Sequence, residues 1–173
     1  MISEKKLSGL QTYGFRLDEA QCFSDIWKIV KDVAKNTLGE QRVGIMLFLA
    51  DLPLGLGAYH PLGTNNVVLN RTLIQIVETT TKSKRLINAF VYNVLLHEYL
   101  HALGHISESE VRSLVYDISK KCFGKDHEAS QLARAGPWSI LRNIPLNQIR
   151  IETPKREMEI VRDFDKTDRT YIS

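Results

Sequence analysis

VYNVLLHEYLHALGHISESEVRSLV, residues 91–115, is the stretch on which the reading of the fold turns. It carries Val91, Val94, Leu95, Leu96, Leu100 and Leu103, a pattern too apolar for a surface helix and suited to one packed on several sides. Into that apolar background it sets His97, Glu98 and His101. Burying two imidazoles and a carboxyl in a core costs free energy unless each finds a partner. The spacing predicts a helix from about Arg85 to Leu103. Threonines and a serine in ETTTKSK (78–84) serve as caps at its start, and Gly104 stops it at its end.

Positions i and i+4 lie one above the other on a helix, so His97 and His101 can reach one metal ion together. Glu98 lies about 100° further round, beside the two imidazoles. There it can take a proton from a water whose pKa a zinc ion lowers towards roughly 7, and later return it to a leaving amine. Zinc needs a third protein ligand. Gly104 can turn the chain through positive φ and bring the following residues back towards the histidines. His105, Ser107, Glu108 and Glu110 are the residues within that reach. The bland alternative is a pair of core histidines satisfied by hydrogen bonds.

HEYLHALGHISE (97–108) resembles the zincin metallopeptidases. It departs from the metzincin pattern H-E-x-x-H-x-x-G-x-x-H, because Ser107 stands where the third histidine belongs. It is closer to the small minimal zincins, whose pattern is H-E-x-x-H-x-x-G-x-x-D-E, with Ser107 in place of Asp and Glu108 in place of Glu. GAYHPLGTNNVVLNRTLI (57–74) is similar to the edge-strand segment that precedes the active-site helix in that group. The likeness spans roughly residues 42–124. It implies a compact α+β zincin-like domain with a small mixed sheet packed against helices. It also implies a zinc ion held by His97, His101 and Glu108, with His105 and Glu110 as secondary ligand candidates and Glu98 as the general base. The alternative for Glu108 is an acidic residue favoured by the helix dipole in a first turn. Glu110 also fits as the capping-box partner of Ser107.

The edge segment points to Tyr59 and His60 as substrate contacts, since such a strand can pair its backbone with an extended peptide. Each read singly is an ordinary loop residue. Asn70 and Arg71 fit a cap and a salt bridge better than a substrate contact. Tyr92 and Tyr99 fit packing. His127 and Glu128 fit a solvated helix start.

The remainder supports one domain. A chain of 173 residues with 43% hydrophobic residues has enough apolar material for a core. Helices are expected from Asp18 to the glycine in LGE (38–40), with Phe23, Ile26, Trp27, Val30 and Ala34 on one face, then after Ser107 up to Gly124, and over 126–137 with Asp126 as cap. RVGIMLFLA (42–50) reads as a central strand, residues 51–65 as a loop or irregular edge, and NVVLN (66–70) as a short strand. Residues 1–137 form the expected catalytic domain, with 1–14 disordered. Residues 138–173 form an arm, extended or partly ordered, packed on the domain or on a protein partner. A net charge of +3 with no basic stripe or aromatic platform argues against nucleic acid. No apolar run reaches membrane-spanning length. Cys22 and Cys122 belong to no C-x-x-C pair and read as buried free thiols in a cytoplasmic protein. The expected activity is zinc-dependent hydrolysis of peptide bonds in a peptide or protein substrate. The competing expectation is an inactive or metal-free zincin shell acting as an interaction module.

Overall fold

The computed structural model describes residues 12–142, 144–146 and 156–165. Helix α1 covers residues 12–18, so the tract expected to be disordered is helical from residue 12; residues 1–11 lie outside the described residues. Then follow α2 (Phe23–Leu38), β1 (Met46–Ala50), β2 (Ala58–Tyr59), β3 (Asn66–Asn70), α3 (Arg71–Thr81), α4 (Lys84–Ala102), α5 (Glu108–Phe123), α6 (Glu128–Ala135), a 3₁₀ turn (Pro137–Leu141) and β4 (Glu159–Ile160). This is a mixed helix and sheet architecture, compatible with the expected α+β class.

The sheet has the order β2-β3-β1-β4. β1 and β3 run parallel with Leu47 opposite Val67, β2 is antiparallel to β3, and β4 is antiparallel to β1. β1 is therefore central, as its apolar run requires. β2 is an edge strand, delivered by the Gly- and Pro-rich loop 51–57. Asn70 fixes that loop. It is fully buried, and its Nδ2 donates to the carbonyls of Leu52, Pro53 and Leu56 at 2.8–3.1 Å. Its Oδ1 accepts from Leu73 N–H and so caps α3.

α4 is the central helix and is buried on nearly every side. Ser83 caps its start by accepting from Leu86 N–H. Below it, Trp27 of α2 meets Tyr99 edge-on, with centroids 4.9 Å apart, and stacks on Phe164 at 4.8 Å. Tyr92 is buried with its hydroxyl 3.1 Å from Ser119 Oγ. Both tyrosines thus pack, as expected. Burial of each large apolar side chain in this layer contributes on the order of 1.5–3 kcal/mol.

Three details depart from the sequence reading. Helix α3 was not foreseen. Cys22 is exposed, whereas Cys122 is buried and its thiol is pushed up to about 11 by burial. The cap of α6 is His127, not Asp126. Its Nδ1 accepts from Ala129 N–H at 3.1 Å, and its Nε2 donates to Asp18 Oδ1 at 3.1 Å. That side chain is 11% exposed, so it is a packed cap rather than a solvated one. The described part of the C-terminal arm packs on the domain, one of the two placements expected for it. β4 extends the sheet, Phe164 enters the core, and Arg156 pairs with Asp51. The rest of the arm lies outside the described residues. Among the described residues, no helix is long and apolar enough to cross a membrane.

Candidate metal centre

The last turn of α4 builds the centre. Gly104, at φ 105°, follows the C-cap. His105 N–H reaches back to the Leu100 carbonyl and Gly104 N–H to the His101 carbonyl, both at 3.0 Å. This is the Schellman arrangement, which needs a residue without Cβ strain at the position of Gly104. Ser107 then caps α5 by accepting from Glu110 N–H. Between the two caps only Gly104, His105 and Ile106 intervene, so the first residue of α5, Glu108, is thrown back onto the histidines.

His97 Nε2 and His101 Nε2 lie 3.2 Å apart. Glu108 Oε1 is 2.8 Å from His101 Nε2, and Glu108 Oε2 is 3.1 Å from His97 Nε2. One donor atom from each of the three side chains lies within 4.8 Å of the others. The His101 tautomer follows from its second nitrogen. Nδ1 lies 2.7 Å from the His105 carbonyl, which can only accept, so Nδ1 carries the proton. In the neutral ring Nε2 is then a lone pair, aimed at a carboxylate oxygen that is also an acceptor. Two acceptors 2.8 Å apart require a proton or a cation between them.

The set suits zinc. Nitrogen and oxygen ligands about 2.0–2.2 Å from a tetrahedral ion sit roughly 3.3 Å from one another. The observed separations of 2.8, 3.1 and 3.2 Å need only slight outward relaxation. Burial, opposed by the Glu108 carboxylate, lowers the pKa of His97 and favours the neutral ring, which is the ligating form. The His105 carbonyl behind His101 stands where the outer partner of a metal-binding imidazole would stand.

Glu98 stands beside this triad, 8% exposed. Burial raises its pKa to about 7 against the pull of the His101 charge, with Glu108 adding to the rise. The His60 backbone beside the carboxylate opposes that rise. Tyr59 and His60 line a cavity together with Glu98, His101 and Glu108. The ring of His60 is turned to the Asn66 carbonyl, 2.9 Å from Nδ1.

The secondary ligand candidates lie elsewhere. His105 directs Nδ1 to Glu110 at 3.2 Å and Nε2 to Glu40 at 3.0 Å. Burial opposes its charge, but the two carboxylates outweigh it and raise its pKa. Glu110 therefore spends its carboxylate on His105, not on completing a capping box. Asn70 and Arg71 are structural, Arg71 pairing with Asp51 at 3.1 Å and Glu159 at 3.4 Å.

Three neighbours escaped the sequence reading. Glu40 braces His105 across 65 positions, a contact with no local signal. Arg42 holds the end of α4, donating to the Ala102 carbonyl at 2.7 Å while its backbone N–H donates to the Tyr99 hydroxyl at 2.7 Å. Arg112 lines the cleft with His97 and Glu108, and its i+4 spacing from Glu108 was the available clue. Comparison with known families, characterised proteins and solved structures finds no match to this chain.

Proposed function

We propose that the protein is a zinc-dependent metallopeptidase of zincin type. One observation carries the reading. The His105 carbonyl fixes the proton on His101 Nδ1, so a lone pair converges with His97 Nε2 and the Glu108 carboxylate beside a buried Glu98. Two imidazole nitrogens and a carboxylate converging on one point suit a divalent cation.

His97, His101 and Glu108 would hold the ion. Zinc bound there supplies a Lewis acid that polarises a carbonyl and lowers the pKa of a water towards about 7. Glu98 takes a proton from the attacking water, since burial poises it near the pH of reaction. Glu98 then delivers the proton to the leaving amine, and the amide bond is cleaved with water consumed. β2, one edge of the sheet, offers its backbone to an extended peptide next to this carboxylate.

The test compares wild type with Glu98→Gln for zinc content and for cleavage of a mixed peptide pool. Both proteins should hold one zinc, and the variant should lose roughly 10²–10⁴-fold in turnover. Absence of zinc uptake, or cleavage that survives the substitution, would overturn the reading. Zinc uptake without cleavage by either protein would favour an interaction module.

A further inference from the structure

Two cavities meet at the candidate centre. The larger, about 770 Å³, extends from His97 towards α5, α6 and the 3₁₀ turn. The smaller, about 340 Å³, extends from His101 past Tyr59 and His60. Leu56, Ala58, Glu98 and Glu108 line both. The two are thus lobes of one groove that passes the centre along β2.

The lobes differ in chemistry. In the larger lobe Glu98 and Glu108 belong to the centre itself. The other charged side chains on its wall are Arg112, Arg134 and Arg142, with no Lys and no Asp among the lining residues. None of the three forms a salt bridge among the described residues. Arg142 is tethered by donating to the Ala135 carbonyl at 3.4 Å. Trp138 closes the floor against Gly57, just before β2. The smaller lobe is rimmed by Leu56, Leu62 and Ile106, with Leu62 79% and Ile106 78% exposed. A cleft lined by one sign of charge over apolar walls focuses its field and concentrates ligands of the opposite sign. Guanidinium groups match carboxylates in geometry as well as charge.

We propose that the larger lobe is a subsite for acidic side chains, so that the preferred substrate is a peptide with Asp or Glu on the His97 side of the cleaved bond and an apolar residue on the His101 side. The assignment rests on the peptidase reading for the word substrate. The subsite itself is tested by binding alone.

The experiment uses full-length Glu98→Gln protein and two labelled peptides. They share an apolar half and differ only in Glu or Lys in the other half. Fluorescence anisotropy at low ionic strength should show the Glu peptide binding about tenfold more tightly or better, given three arginines in reach. The advantage should shrink as salt is added. Adding Arg134→Glu and Arg142→Glu, both exposed positions, should erase or invert it while the melting temperature stays the same. Equal affinities, a preference for the Lys peptide, an unchanged ratio in the arginine variant, or no binding of either peptide would each overturn the proposal. The two readings fail separately. Acidic preference in binding without turnover by zinc-loaded wild type removes the peptidase and leaves the subsite. Turnover with no acidic preference removes the subsite and leaves the peptidase.

Discussion

Replacing Glu108 with Gln separates a metal ligand from a surface ion pair. Gln keeps the shape and one carbonyl acceptor but loses the anion. Without metal, Glu108 only pairs with His97 and His101, and its side chain is 61% exposed. Such a pair contributes at most about 1 kcal/mol, so the metal-free melting temperature should barely move. With zinc the outcome differs. Loss of an outer partner of a ligand already costs about 10–100-fold in metal affinity, so loss of a direct anionic donor should cost at least about 100-fold. That factor corresponds to about 2.7 kcal/mol. By mass action the same amount disappears from the stabilisation that saturating zinc confers on the folded chain. For a domain of this size 1 kcal/mol moves the melting point by roughly 2–4 °C, so the zinc-induced rise should shrink by about 5–11 °C. Scanning fluorimetry with and without zinc reads both quantities, and competition with a chromophoric chelator gives the affinity. An equal zinc-induced rise in variant and wild type would refute the ligand assignment. So would a metal-free drop as large as the holo one.

Two further outcomes follow from the packing. The Arg156 guanidinium holds the Asp51 carboxyl well below the usual range; burial works against this, while Arg71 and Thr72 add to the lowering. A depressed folded pKa contributes stability that is present above the unfolded value of about 3.9 and is lost as pH falls below it. Wild type should therefore lose melting temperature in acid below about pH 4, and Asp51→Asn should be destabilised at neutral pH while losing less on acidification. Phe164→Ala removes a side chain 4% exposed and stacked on Trp27, so urea melts should show a loss of about 3–5 kcal/mol. A loss under about 1 kcal/mol would mean that this segment does not hold the core together.

Much of the site was legible because its determinants are local. The i, i+4 histidines, the Gly104 stop and the Ser107 cap lie within one short stretch, and together they place Glu108. Helix α3 was hidden by composition. RTLIQIVETTT is rich in β-branched residues with weak helix propensity, and it continues directly from a strand. Its signals were Asn70 as cap and Leu73, Ile76 and Val77 at helical spacing. The fate of His105 depended on Glu40, far away in sequence, so its pairing could not be read from the turn alone. The same holds for His127, whose partner Asp18 lies 109 positions away. Local chemistry could not name the partner of either ring, and distant carboxylates supplied it.

The aromatic stack under α4 also bears on how the chain is made. Trp27 emerges from the ribosome early, whereas Phe164 comes after nearly everything that surrounds the tryptophan; the nearby Lys31–Asp165 bridge spans 134 positions. Contacts of such long range slow folding. During synthesis the nascent chain therefore carries an indole face not yet covered by Phe164, and a product truncated before that residue would be left with the greasy surface open to quality-control proteases.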